Sequence, residues 1–472
     1  MRREGDGALA IVLHTHMPYV EGFGTWPFGE EWLWEAIAGS YVPLLELLDR
    51  GAPLTLSLTP VLCDQLEVPG LGERFARFVA DVRSVTHAED TAGLRAAGHE
   101  QLAEALEHSW EDYRRAARRM QELGGDLLGA LGAHARWTSS ATHAILPLVA
   151  TEAAAREQLR CGIASHRRRF GGWDGGLWLP ECAHEPWIEP LLRAAGVSRV
   201  CVELTGRFPA GAPEHLRPLR SGEDLVLVPV DRQTMSLVWS EQGYPCAPEY
   251  RDYHHHTVHH HNPWNNSGGG YDREAALALA AAHAADFVGR ARARLAEQGA
   301  GLPGGGLLVC ALDTELLGHW WYEGVAWLAA VVEECARQGL ALMHLDEALA
   351  ATEPLPADTS GWQASSWGLG GDLSTWSGPA VADLAFAVRA AELRAAGAPD
   401  LNAAALRELL AMQASDWPFL VARGLAGPYA RERLSGHERG LEQALAAPGE
   451  PRREGLRNLA VDADPRAFGA PV

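Results

Sequence analysis

Leu307-Leu308-Val309-Cys310-Ala311-Leu312-Asp313-Thr314-Glu315-Leu316-Leu317-Gly318-His319-Trp320-Trp321 is the stretch from which the fold of this chain can be read. Six apolar residues in a row, entered from a glycine cluster, read as a strand buried on both faces. The run stops on Asp313, and a polar and aromatic turn follows. The same pattern recurs upstream: Leu9 to Leu13 runs into His14 and His16, and Leu177 to Leu179 leads to Glu181. Leu54 to Leu58, Val200 to Leu204, Leu225 to Val230 and Leu340 to Leu345 are further short apolar runs bounded by turn-formers or polar residues. Helical patterns such as Trp32 to Leu48 and Ala275 to Leu295 lie between them. This alternation predicts an α/β protein, and about seven strands over roughly 350 residues favour a barrel over an open sheet.

Two regions depart from the alternation. Residues 72–131 are rich in Ala, Leu, Glu and Arg with helical spacing, which predicts a helical insertion. Near Glu353 to Thr359 the chain becomes loop-like, and helix-forming segments follow at Ala380 to Ala396, Ala403 to Ala414 and Pro428 to Leu445. The expected organisation is a barrel over residues 1–352 and a C-terminal helical domain over 353–472.

Composition narrows the function. The formal net charge is −21, which disfavours nucleic acid and acidic membranes as partners but not a neutral polymer. All 40 basic residues are arginine. The absence of lysine excludes a lysine Schiff base, a pyridoxal-phosphate lysine and a P-loop. Seven scattered cysteines without a C-x-x-C spacing read as reduced core thiols. The first apolar run is too short for a signal segment, and no apolar run approaches the ~20 residues of a membrane span. A soluble, cytoplasmic protein is the expectation; oligomeric state is not legible.

In an α/β barrel the strand ends gather at one mouth. His14, His16, Glu181 and Asp313 would therefore converge there. Glu181 follows Trp178-Leu179-Pro180, and a carboxylate so placed either sits in a partly apolar pocket or starts a helix. Asp313 either serves chemistry beside His319, Trp320 and Trp321 or caps the next helix. Two carboxylates from separate strands are what glycoside cleavage needs. His14 and His16, two apart on a strand, share a face and suit either metal binding or hydrogen bonds to sugar hydroxyls. The run His254-His255-His256-Thr257-Val258-His259-His260-His261 reads as a surface or substrate-edge loop rather than a specific metal site. Seventeen tryptophans, several beside Gly, Pro or Asp, fit a carbohydrate cleft.

Taken together, these motifs resemble glycoside hydrolase family 57, and within it the glucan branching enzymes. The resemblance rests on His14-Thr15-His16-Met17-Pro18-Tyr19-Val20, Trp26-Pro27-Phe28-Gly29-Glu30-Glu31-Trp32, Leu58-Thr59-Pro60-Val61-Leu62, Trp178-Leu179-Pro180-Glu181-Cys182, Asp313-Thr314-Glu315-Leu316 with Gly318-His319-Trp320-Trp321, Ser366-Trp367-Gly368-Leu369-Gly370-Gly371-Asp372, and Ser415-Asp416-Trp417-Pro418-Phe419. It implies a (β/α)7 barrel with a helical insertion and a C-terminal α-helical domain that closes over the cleft. It implies a retaining transglycosylase acting on an α-glucan donor and acceptor, with Glu181 as nucleophile, Asp313 as general acid/base, no cofactor and no metal. His14, His16, Trp32, His143, Trp178, Trp320, Trp367, Trp376, Asp416 and Trp417 are the positions expected around the glucan. Compared with branching enzymes, the segment Tyr250 to Tyr271 is short and His-rich, and Glu203 stands where an Asp is expected. An α-amylase-type hydrolase or a 4-α-glucanotransferase could use the same pair. More distant alternatives are a metal-dependent hydrolase and a non-catalytic glucan-binding protein.

Overall fold

The first strand, β1 (Ala8–Thr15), has all eight residues buried. A strand enclosed on both faces needs helices on its outer side, so the chain must leave it through a crossover. In the computed structural model, which describes residues 7–22, 24, 29–446, 456 and 458–468, that arrangement is repeated around a closed parallel sheet. Trp26, Pro27 and Phe28 of the second quoted motif lie outside the described residues.

Six strands follow β1 around the barrel or along its edge: β2 (Thr55–Leu58), β3 (Ala135–Ser139), β4 (Gly176–Trp178), β5 (Arg199–Val202), β6 (Leu219–Arg220) and β7 (Val226–Pro229). The long β8 (Leu307–Asp313) comes next. The parallel order is β7-β5-β4-β3-β2-β1-β8, seven strands of a (β/α)7 barrel. Its seam lies between β7 and β8, where the Asp231 N–H donates to the Val309 carbonyl at 2.8 Å. The short β6 pairs antiparallel with β7 at the rim, and β10 (Leu355–Pro356) adds to β6.

Two strand expectations need correction. Leu340 to Leu345 is not a barrel strand. Its ordered part is a two-residue strand, β9 (Ala341–Leu342), beside Ala8 and Leu9 at the closed end of β1; Leu345 already starts a helix, Leu345–Ala350. The barrel strand missing from the sequence reading is β3. Its residues Ala-Arg-Trp-Thr-Ser carry no apolar run, because Arg136 is exposed while Trp137, Thr138 and Ser139 are buried. Position in the sheet, rather than hydrophobicity, makes it a strand.

Helices Leu71–Arg77, Ser84–Ala96, Glu100–Glu122 and Leu127–Gly132 fill the interval between β2 and β3. The His-rich segment packs on them and is only partly a surface loop. His259 Nδ1 and His261 Nδ1 reach the two oxygens of Asp90 at 2.7 and 2.8 Å, and His261 is buried. After β10 come the helices Ala382–Ala396, Ala403–Met412, Asp416–Ala422 and Tyr429–Ala446, with their own apolar cluster around Leu409, Trp417 and Leu441. No helix among the described residues is long and apolar enough to cross a membrane.

The C-terminal region meets the barrel mouth through two single-rung antiparallel contacts. Ser365 exchanges backbone hydrogen bonds with His184 at 2.9 Å each, just after β4. Ala414 bridges Ala144 just after β3, and the Ser415 N–H donates to the His143 carbonyl at 3.1 Å. These two contacts place Trp367 and Ser415 over the strand ends.

Candidate active site

Glu181 lies in the turn after β4 with φ 62° and ψ 20°, and Cys182 follows with φ 50°. His143, after β3, has φ 60°. Left-handed backbone at non-glycine residues is costly and persists where surrounding contacts over-determine it. Here those contacts are the two C-terminal bridges. Trp367 holds Glu181 twice: its backbone N–H donates to the Glu181 carbonyl at 3.0 Å, and its indole N–H donates to Oε2 at 2.7 Å. Ser415 donates its hydroxyl to Oε1 at 3.0 Å. Burial pushes the Glu181 carboxyl up to about 7, against the lowering effect of these two donors.

Asp313 ends β8, in register with His14 of β1, which in turn is in register with Ser57 of β2. Three strands separate β8 from β4 along one side of the barrel and two along the other, so the two carboxylates stand across the mouth from one another. Among the described residues no side chain hydrogen-bonds the Asp313 carboxylate. Burial, reinforced by Glu181, Glu315 and Asp416, holds its proton well above the usual carboxylate range.

A layered imidazole cluster lies between them. His16 stacks on His143 with ring centres 3.9 Å apart, and His14 stacks on Trp178 at 4.6 Å. His14 Nε2 meets His143 Nε2 at 2.8 Å. Burial, then the neighbouring histidines, lower both His14 and His143 well below the ordinary imidazole value, so both are neutral. His16 is different. Burial opposes its charge, but Asp416, bonded to Nε2 at 2.8 Å, together with Glu315 and Glu181 raises its basicity. Ligand-type atoms of His16, His143 and Asp416 lie within 4.8 Å of one another, the one such group among the described residues. Both nitrogens of His143 are engaged, by His14 and Ser415, and His16 is bonded to Thr59 and Asp416, so these atoms hydrogen-bond within the cluster.

The aromatic positions divide by exposure. Trp320 is 42 % exposed and lies against Tyr253, with ring centres 4.5 Å apart. Trp367 packs on Trp178 and, nearly parallel at 17°, on Trp239, which is 45 % exposed. Trp32 sits edge-on to Tyr429 and ties the first helix to the helix Tyr429–Ala446. Trp178, Trp376 and Trp417 are buried, which corrects the expectation that they line the cleft. Trp178 is a floor beneath His14, Trp376 backs Trp367, and Trp417 donates its indole N–H to the Ala411 carbonyl inside the C-terminal cluster.

Sequence reasoning passed over Ser415, Trp239, Glu315 and Tyr41. Glu315 accepts the Tyr41 hydroxyl at 2.7 Å and the His16 N–H at 3.1 Å on Oε1, so it ties the turn after β8 to β1 and the first helix. Ser415 and Glu315 stood inside quoted motifs, next to the residues chosen. Tyr41 and Trp239 carried no local signal. The turn also depends on close backbone approach: Gly318, with φ 101°, lies against Gly39, and a Cβ there would fall 1.9 Å from the Gly39 carbonyl oxygen.

A seven-stranded parallel barrel with a carboxylate pair across its mouth, one member held by an indole, defines an α/β-barrel protein of the glycoside hydrolase type. The profile of glycosyl hydrolase family 57 matches residues 136–356, and that of the 1,4-alpha-glucan branching enzyme C-terminal region matches residues 383–460. The chain is 33% identical over 511 residues to a probable 1,4-alpha-glucan branching enzyme of Mycobacterium tuberculosis, covering 96% of this chain and 94% of that protein. It is 31% identical over 502 residues to a 1,4-alpha-glucan branching enzyme of Thermococcus kodakarensis, covering 92% and 72%. The crystal structure of a family 57 branching enzyme from Pyrococcus horikoshii superposes with a TM-score of 0.84 at 31% identity, covering 92% of this chain and 88% of that one. The chain belongs to glycosyl hydrolase family 57.

Proposed function

We propose that this protein is a 1,4-α-glucan branching enzyme, a retaining transglycosylase that cleaves α-1,4 links and forms α-1,6 branches. The observation that carries this reading is the contrast between the two carboxylates. Glu181 is held at both oxygens by neutral donors, while burial and neighbouring carboxylates raise Asp313 well above the usual carboxylate range and no described side chain hydrogen-bonds its carboxyl. A fixed, ionisable carboxylate opposite a protonated one is the division of labour that double displacement requires. The described C-terminal region completes the cleft, because Trp367 and Ser415 come from that side.

In the first step Asp313 gives its proton to the glycosidic oxygen as the C1–O4 bond breaks. Glu181 attacks C1 and forms a glycosyl ester, and the shortened glucan leaves with a free 4-hydroxyl. Asp313, now ionised, takes the proton from the 6-hydroxyl of an acceptor glucan. That oxygen attacks C1, the ester bond breaks and Glu181 is restored. Neither step calls for a cofactor. Trp320 and Trp239, the exposed indoles flanking the turn after β8 and the Trp367 ring, are the surfaces offered to apolar sugar faces. The relatives support a glucan as both donor and acceptor.

Amylose incubated with the purified protein, Glu181→Gln and Asp313→Asn tests the reading. Proton NMR should show new α-1,6 signals with the wild type and none with either variant. Reducing ends without new branches would make the protein a hydrolase. Unchanged amylose in all three reactions would remove the catalytic reading for this substrate.

A further inference from the structure

Five side chains from separate parts of the chain form one line of hydrogen bonds ending on Glu181. Ser57 Oγ is 3.5 Å from His14 Nδ1, His14 Nε2 is 2.8 Å from His143 Nε2, His143 Nδ1 is 2.7 Å from Ser415 Oγ, and Ser415 Oγ is 3.0 Å from Glu181 Oε1. Ser57, His14 and His143 are all buried, at 0%, 1% and 3% exposure, as is Ser415 at 2%. His14 and His143, both expected around the glucan, spend their ring nitrogens on one another, on Ser57 and on Ser415.

The line has a direction, and chemistry fixes it from the Glu181 end. An ionised carboxylate can only accept, so Ser415 must donate to it. A hydroxyl has one proton, so Ser415 accepts from His143, whose Nδ1 therefore carries hydrogen. His143 is neutral, which leaves its Nε2 bare to accept from His14 Nε2–H. His14 is neutral too, so its Nδ1 accepts from the Ser57 hydroxyl. With Glu181 ionised, one proton arrangement satisfies every member. A protonated Glu181 could instead donate to Ser415, and the whole line would then reverse.

We propose that Ser415, oriented by the His14–His143 pair, is a positioning residue that favours the ionised form of Glu181 and fixes its Oε1 for attack. The inference rests on the reading of Glu181 as nucleophile. The line is the neutral counterpart of the titratable groups that also face Glu181: His16 and Asp416 at the cleft, and Asp313 at the end of β8. His143 approaches it as well, with Nδ1 3.9 Å from Oε1, and is neutral. Removing the Ser415 hydroxyl deletes a donor to the charged form, and Glu181 should become harder to ionise.

Two measurements test this. In the pH profile of kcat/KM on amylose, Ser415→Ala should move the acid limb upward by about one pH unit and lower the plateau about 10- to 100-fold, while Ser415→Thr restores the limb. An unmoved limb in Ser415→Ala overturns the proposal, because a packing role alone would lower activity without shifting it. Nitrogen NMR of the histidine-labelled wild type reads the tautomers without any variant. His143 should carry its proton on Nδ1 and His14 on Nε2; His143 protonated on Nε2 at neutral pH or above overturns the line as drawn. Glu181→Gln separates the two ideas. Full activity in that variant removes the nucleophile assignment, whereas its loss alongside an unmoved Ser415→Ala limb removes only the relay.

Discussion

Glu181 and Asp313 end up across one barrel mouth, yet their surroundings are built from different parts of the molecule. Glu181 sits in a left-handed turn fastened by two single-rung bridges to the C-terminal region, and both its oxygens accept neutral N–H or O–H donors. Asp313 is the plain end of a seven-residue strand, faced by other carboxylates and bonded to none of the described side chains. Hydrogen bonds to the charged form favour ionisation, and like charges in a buried place disfavour it. One fold thus gives its two carboxylates different surroundings, which suit the nucleophile and proton-donor roles proposed for them.

The contrast is broken most severely by removing either carboxylate, and the two losses should differ in kind. Glu181→Gln should lower branching by about 10⁴-fold or more, since no attacking oxygen anion remains. Asp313→Asn should lower it about 10³-fold. A maltosyl fluoride donor sharpens the comparison, because fluoride leaves without a proton. Its consumption should recover in Asp313→Asn and stay lost in Glu181→Gln. Equal recovery in both would mean the roles are wrongly divided.

A smaller effect comes from loosening one donor. In the proposed mechanism Glu181 reacts as the anion, and burial raises its carboxyl to about 7, so kcat/KM should fall as pH drops through that region. Trp367→Phe keeps the ring and deletes the indole N–H that favours the anion. The acid limb should move to higher pH by about one unit, with a plateau loss near 100-fold. A limb that moves to lower pH would contradict the account of what the indole does.

The Asp313 side was legible in the sequence and the Glu181 side only in part. β8 announces itself, six buried apolar residues ending in a carboxylate, and so does the pairing of His14 with His16. Glu181 could be placed after Trp178-Leu179-Pro180, but its left-handed backbone and its two donors could not. Those come from residues 186 and 234 positions away in sequence, through contacts that no local spacing encodes. The same limit explains β3, which lacks an apolar run, and Trp417, which looked like a cleft residue and is a core one. Aromatic residues beside polar ones signal a site only when the tertiary fold leaves them exposed.

That distinction predicts opposite phenotypes for two tryptophans. Trp320→Ala should raise KM for amylose about 3- to 10-fold with little change in melting temperature, as expected for an exposed stacking surface. Trp417→Ala should destabilise the fold by about 3–5 kcal/mol through the cavity it leaves. Thermal melts alongside KM separate the two; a stable Trp417→Ala protein with a raised KM would return that residue to the cleft.

The smallest effect tests how far the Asp313 side extends. Trp320 rests on Tyr253, whose hydroxyl lies 3.4 Å from His319 Nε2, and Tyr253 leads into the His-rich segment. That segment is tied to the insertion by Asp90, which takes His259 Nδ1 on one oxygen and His261 Nδ1 on the other. Asparagine cannot accept on both sides, because one of its positions is an NH₂ donor. In Asp90→Asn one histidine must therefore turn or lose its bond, and the support beneath Tyr253 and Trp320 loosens. The expected result is a two- to fivefold rise, about the worth of one such bond, in the ratio of reducing ends to new α-1,6 links. The acid limb should stay where it is, since no group on Glu181 has been touched. A shifted limb would mean the two sides of the mouth are coupled through the insertion.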